Sequence, residues 1–172
     1  APDVRAVGDF LYFCASRRRQ NCPILRTADP LTYPFTEVSA PFPFLDPDLF
    51  CDDDGRCYFY WGCTNTDPIY GVEFDPETMQ PIGEKRELIF GREAELGYER
   101  PGDNGVVDRE GSVVYRHLKR SFNPETGKVE VPAAMEKATG ISPEVLTKMF
   151  LAVGKPYIEG AFMTKHNGRY YL

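Results

Sequence analysis

An all-β fold built by radial repetition is what this 172-residue sequence predicts, and three observations carry the prediction. One short pattern recurs three times: an acid, an extended apolar run, a polar turn with Gly, then a burst of aromatics. The copies are headed by Asp3 in APDVRAVGDFLYF, Asp46 in LDPDLFCDDDGRCYFYWG and Glu159 in IEGAFMTKHNGRYYL. Fifteen Pro and fifteen Gly are spread along the chain without a low-complexity tract, as expected of many short strands joined by turns. Strand-like runs then come about four to a copy, the size of one propeller blade. Each copy reads as the inner hairpin of one sheet, and sheets set around an axis bring their leading acids together at the centre. The chain thus amounts to about two and a half blades with a short helical insertion.

The elements follow in order. Val4 to Ala15 reads as strand, Gly8-Asp9 turn and strand, followed by a polar loop from Ser16 to Asn21 whose arginines are solvated. Pro23–Thr27 and Phe35–Val38 supply two more strands around the Ala28-Asp29-Pro30 turn, completing a blade over 1–44. In 45–90, Leu49–Cys51 and Cys57–Gly62 form a hairpin around Asp52-Asp53-Asp54-Gly55. Ile69–Phe74 and Lys85–Ile89 complete that blade across the turn Asp75-Pro76-Glu77-Thr78. The stretch 91–156 departs from the repeat. Gly111–Leu118 reads as a strand ending in the solvated basic cluster Arg116, His117, Lys119 and Arg120. Ser142 followed by Pro143 and Glu144 is a helix start, with Val145, Leu146, Met149 and Phe150 as its core face. The third copy occupies 157–172.

Composition narrows the function. A net charge of −6 argues against nucleic acid or an anionic membrane as partner, because phosphate contacts need clustered Lys and Arg. No run approaches the roughly 20 apolar residues of a membrane span. Five cysteines without a CxxC pair give no metal site, and the reading for them is small, buried and reduced. Cys51 and Cys57 flank the acidic turn and could face each other across the hairpin. Contiguous Asp52, Asp53 and Asp54 do not alternate as calcium-loop ligands do, so they read as a turn. His117 and His166 lack a Gly-x-Ser-x-Gly elbow that would make a triad.

The acids carry the chemistry. Glycoside hydrolysis needs two carboxyl groups, one protonated to donate to the leaving oxygen and one ionised. Acids at the ends of inner strands suit that need, since neighbouring blades converge there. Gly160 after Glu159 lets a sugar approach, and Pro47 fixes the backbone after Asp46.

At this point the motifs resemble a known family. DPDLFCDDDGRCYFYWG and YIEGAFMTKHNGRYYL are similar to signatures of family 43 glycoside hydrolases, and APDVRAVGDFLYF with CPILRTADPLTYPFTEV to their second blade. The resemblance implies a five-bladed β-propeller, of which this chain is an internal segment, inverting α-L-arabinofuranosyl or β-D-xylosyl linkages of plant polysaccharides or oligosaccharides. Glu159 matches the general acid, and Asp46 the Asp that raises the acid's pKa and holds it in place. The family's general base lies on a blade before the APD segment, so it is expected from the remainder of the propeller, the chain's expected partner, unless Asp3 substitutes. Phe44, Trp61 and Phe162 are candidates for the apolar walls of a sugar pocket, with core packing as their other use. Arg100, beside Glu99, could reach the site from the insertion. No cofactor is implied. The alternative is a non-catalytic carbohydrate-binding propeller, or an inactive fragment without the base.

Overall fold

Two four-stranded antiparallel meanders dominate the computed structural model, which describes residues 2–17, 20–92, 110–153, 155 and 158–172. The first contains β1 (Asp3–Val7), β2 (Phe10–Cys14), β3 (Ile24–Thr27) and β4 (Thr36–Ser39) in sequence order. The second contains β5 (Asp48–Cys51), β6 (Cys57–Trp61), β8 (Ile69–Phe74) and β9 (Pro81–Ile89). β7 (Cys63–Thr64) leaves the second meander and pairs antiparallel with β12 (Ile158–Glu159). A further hairpin joins β13 (Thr164–His166) to β14 (Arg169–Tyr171). Its Asn167-Gly168 turn has φ 49° and 72°, the double left-handed geometry that suits a two-residue hairpin. The fold is all-β with a few short helices, and the two meanders have the strand order of propeller blades.

The chain divides into two units, Ala1–Phe90 with Ile158–Leu172, and Gly91–Tyr157. In the first, the blades pack through alternating side chains. Tyr12, Cys14, Cys22 and Ile24 meet Phe44, Leu49, Phe59, Val72, Phe74 and Met79, all buried. Phe59 stacks on Phe74 at 4.9 Å and meets Phe44 at 4.8 Å, so aromatics fill the space between the sheets.

A device repeated between blades holds their register. Asp3, at the head of β1, accepts from the Leu49 N–H of β5 at 2.9 Å. Asp48, at the head of β5, accepts from the Met163 N–H, just before β13, at 2.6 Å. Arg5 reaches both acids, as a hydrogen-bond donor to Asp48 and 3.5 Å from Asp3. The β13–β14 hairpin is fastened a second time at the acidic turn. Lys165 Nζ lies 2.5 Å from Asp52 and 3.0 Å from Asp53, and the Tyr170 hydroxyl donates to Asp52.

In the second unit, α1 (Val113–Lys119), the β10–β11 hairpin (Phe122–Asn123 and Lys128–Val129), α2 (Ala133–Thr139) and α3 (Pro143–Ala152) enclose a small core. Leu118, Val129 and Phe150 form it, with Tyr115 stacked on Phe150 at 5.0 Å.

Four readings of the sequence are corrected. Gly111–Leu118 is not a strand. Ser112 caps a helix by accepting from the Tyr115 N–H at 3.2 Å, and Tyr115 with Leu118 form the buried face, which outweighs the β-branched Val113-Val114. The basic cluster therefore stands on the last turn of that helix and just beyond it, where cations suit the helix dipole. The apolar stripe of α3 splits: Leu146 and Phe150 pack inward, whereas Val145 and Met149 are exposed, being about 100° around the helix. Cys51 and Cys57 are joined in a disulfide, because they are direct cross-strand partners in β5–β6. β9 begins at Pro81, ahead of the expected Lys85, and all nine of its residues are exposed.

Candidate active site

Gly62 organises the site. Its N–H donates to the Leu45 carbonyl at 3.0 Å, which anchors the segment leading to Asp46. A Cβ at Gly62 would stand 2.7 Å from Ile69 Cδ1 and 3.1 Å from both Ile69 Cα and the Pro68 carbonyl, so a larger residue would crowd this passage. The chain then enters β7, whose register sets Cys63 opposite Glu159 and Thr64 opposite Ile158. Directly opposed antiparallel residues project to the same face. The Cys63 thiol accordingly donates to Glu159 Oε2 at 3.5 Å.

Asp46 completes the group. Its backbone sits at φ 45°, a left-handed conformation that Asp tolerates better than most residues. One oxygen each of Asp46 and Glu159 and the Cys63 sulfur lie within 4.8 Å of one another. Glu159 is exposed; Asp46 and Cys63 are half-buried. These atoms could also bridge a cation, but a carboxylate occupied in that way carries no transferable proton. Gly160, at φ 70° with open space around it, turns the chain away immediately after Glu159.

The other expected residues lie outside this trio. Asp3 is engaged with the Leu49 N–H and Arg5 and does not belong to this trio. The equivalent of Asp3 in the second blade is Asp48, since both open the inner strand, and Asp46 lies two residues before it. Phe44 is buried in the inter-blade core. Trp61 is half-buried, 4.7 Å from the Phe42 ring and stacked on Tyr70 at 5.5 Å. Phe162 is exposed, with the Arg5 guanidinium 4.3 Å above its ring. Arg100 and Glu99 lie outside the described residues.

A groove of about 430 Å³ adjoins the trio at Cys63. Phe44, Trp61 and Tyr70 give it an aromatic wall, and Arg17, Thr64 and Asp67 give it polar groups. Cys63 as a site residue was not anticipated from the sequence. Cys63 gains its place through pairing with a residue 96 positions away, and its only local sign is that it follows the Trp61-Gly62 end of β6.

The family model described as Glycosyl hydrolases family 43 matches residues 1–122. Among solved structures, the chain is similar to a bifunctional GH43-CE protein of Bacteroides eggerthii, at 20% identity and a TM-score of 0.49, over 58% of this chain and 13% of that one. It is similar to an alpha-L-arabinofuranosidase of Clostridium thermocellum at 19% identity and a TM-score of 0.45, over 54% and 35% of the two chains. A GH43 endo-arabinanase of Bacillus licheniformis gives 22% identity and a TM-score of 0.42, over 51% and 34%. No curated protein matches. The chain thus spans between 13% and 35% of the length of these solved structures.

Proposed function

The chain belongs to glycosyl hydrolase family 43, and on that premise we propose that it carries the general acid of an inverting glycosidase. The substrates are α-L-arabinofuranosyl or β-D-xylosyl linkages of plant polysaccharides or oligosaccharides. The observation that carries this reading is the approach of Asp46 to Glu159 within 4.8 Å. Glu159 is the exposed member and, as the general acid, donates its proton to the glycosidic oxygen, which takes the bonding electrons as the C–O bond breaks. Asp46 is the acidic neighbour at its side. An inverting acid and base stand roughly 6.5–9.5 Å apart to admit a water. Asp46 is too near for that role, so the base that activates the attacking water comes from the remainder of the propeller. The groove at Cys63, with its aromatic wall and few polar groups, has the character of a saccharide subsite, and Trp61 is its central aromatic.

The test is Glu159→Gln in the complete protein. Turnover of unactivated substrate is expected to fall by about 10²–10⁴, the usual contribution of a general acid, with the fold intact. Near-wild-type rates would remove the assignment. Proton NMR of the first-formed sugar is expected to show the inverted anomer. A retained anomer would instead make Asp46 a nucleophile. A second reading, a carbohydrate-binding propeller without a base, draws support from Asp3, the candidate base within this sequence, being committed to Leu49 and Arg5. It predicts saturable sugar binding without product.

A further inference from the structure

The acid's surroundings pose a problem that one neighbouring residue solves. Glu159 is exposed, on a two-residue strand that ends in a left-handed glycine. A side chain there has freedom about its χ angles, and each alternative orientation points the proton away from the leaving oxygen. Cys63 donates a side-chain hydrogen bond to Glu159 at 3.5 Å.

Resting on the acid assignment above, we propose that Cys63 is the positioning residue of Glu159: its thiol holds Oε2 and leaves Oε1 to carry the transferable proton. Three observations bear on this. The β7–β12 register makes the two residues direct partners, so their proximity is imposed by the backbone. Gly62, where an added Cβ would meet Ile69 and Pro68, immediately precedes Cys63 in the chain. Cys14 and Cys22 are buried and Cys51 and Cys57 are joined in a disulfide, whereas Cys63 is a half-buried thiol facing a carboxylate. A thiol suits the task. It is a weak donor and a weak acceptor, so it orients the carboxyl group without taking its proton. The thiol proton is not transferred during turnover; the proton delivered to the leaving group is that of Glu159.

The experiment compares two substrates in the complete protein: an unactivated oligosaccharide, and a 2,4-dinitrophenyl glycoside whose leaving group departs without protonation. Cys63→Ala is expected to lower kcat on the oligosaccharide by about tenfold, a part of what a general acid supplies, with KM unchanged. The dinitrophenyl glycoside is expected to stay within about twofold of wild type. Cys63→Ser, which restores a donor, is expected to recover most of the loss. Cys63→Val, which keeps bulk and removes the donor, is expected to behave as the Ala variant, and thermal melts of all three identify a variant that is merely unfolded. Equal losses on both substrates, no loss on either, or no rescue by Ser overturns the proposal. Glu159→Gln separates the two levels. If it spares the oligosaccharide, the acid assignment falls and the role of Cys63 falls with it. If it shows the leaving-group split and Cys63→Ala does not, only the positioning role is lost.

Discussion

Asp48→Ala probes the coupling between blades most directly. Asp48 is 1% exposed, accepts from the Met163 N–H at 2.6 Å and pairs with Arg5. Truncation leaves the buried Met163 N–H without its acceptor, a penalty of about 1–3 kcal/mol. It also leaves Arg5, among the described residues, with Asp3 at 3.5 Å as its acidic partner and the Phe162 ring beneath it. Breaking a buried ion pair costs about 3–5 kcal/mol, but the Arg5 side chain keeps 25% exposure, so water recovers part of that. The total should be roughly 3–4 kcal/mol, a large share of the 5–15 kcal/mol typical of a domain. Asp48→Asn should cost less, since its carbonyl can still accept from Met163. Burial pushes the Asp48 carboxyl above the usual carboxylate range, against the lowering by the Met163 N–H and Arg5, so a neutral side chain is not foreign to this site. Urea denaturation followed by circular dichroism and by fluorescence of the sole tryptophan, Trp61, measures both variants. An Ala variant within about 0.5 kcal/mol of wild type, or an Asn variant worse than Ala, would refute the reasoning.

Two further outcomes are expected. Gly62→Ala should destabilise by about 1–3 kcal/mol through overpacking against Ile69 and Pro68, and should reduce turnover by disturbing β7; Gly8→Ala, where nothing lies within 4 Å of the added Cβ, should spare turnover, and denaturation plus steady-state kinetics check both. The Lys165 hydrogen bond, then that of Tyr170, lowers the Asp52 carboxyl to about 2. Its stabilisation is therefore present above the unfolded-state value near pH ~3.9 and lost as pH falls through about 2. Acid titration by near-UV circular dichroism should show that step, and Lys165→Ala should diminish it.

Local chemistry made much of this fold legible. The Gly8-Asp9, Asp75–Thr78 and Asn167-Gly168 turns and the Ser142 cap each act within a few residues, and their elements stand close to where the sequence puts them. Long-range register was not legible in the same way. Asp46 and Asp48 are two acids in one tetrapeptide, and only pairing of β5 with β6 reveals that Asp48 matches Asp3. Val113-Val114 has the composition of a strand, and the packing of Tyr115 on Phe150, 35 residues later, supports the helix instead. The aromatics illustrate the same limit: nothing local separates buried Phe44 from exposed Phe162.

The link from each blade to the next has a further consequence. A carboxylate at a strand head, Asp3 or Asp48, grips a main-chain N–H of its neighbour, that of Leu49 or Met163. Every residue except proline offers that amide. The join itself therefore does not depend on which side chain the receiving residue carries. Modules joined this way are interchangeable in principle: a duplicated or transplanted blade would find its place on its predecessor through the backbone, leaving its solvent-facing residues at liberty to diverge.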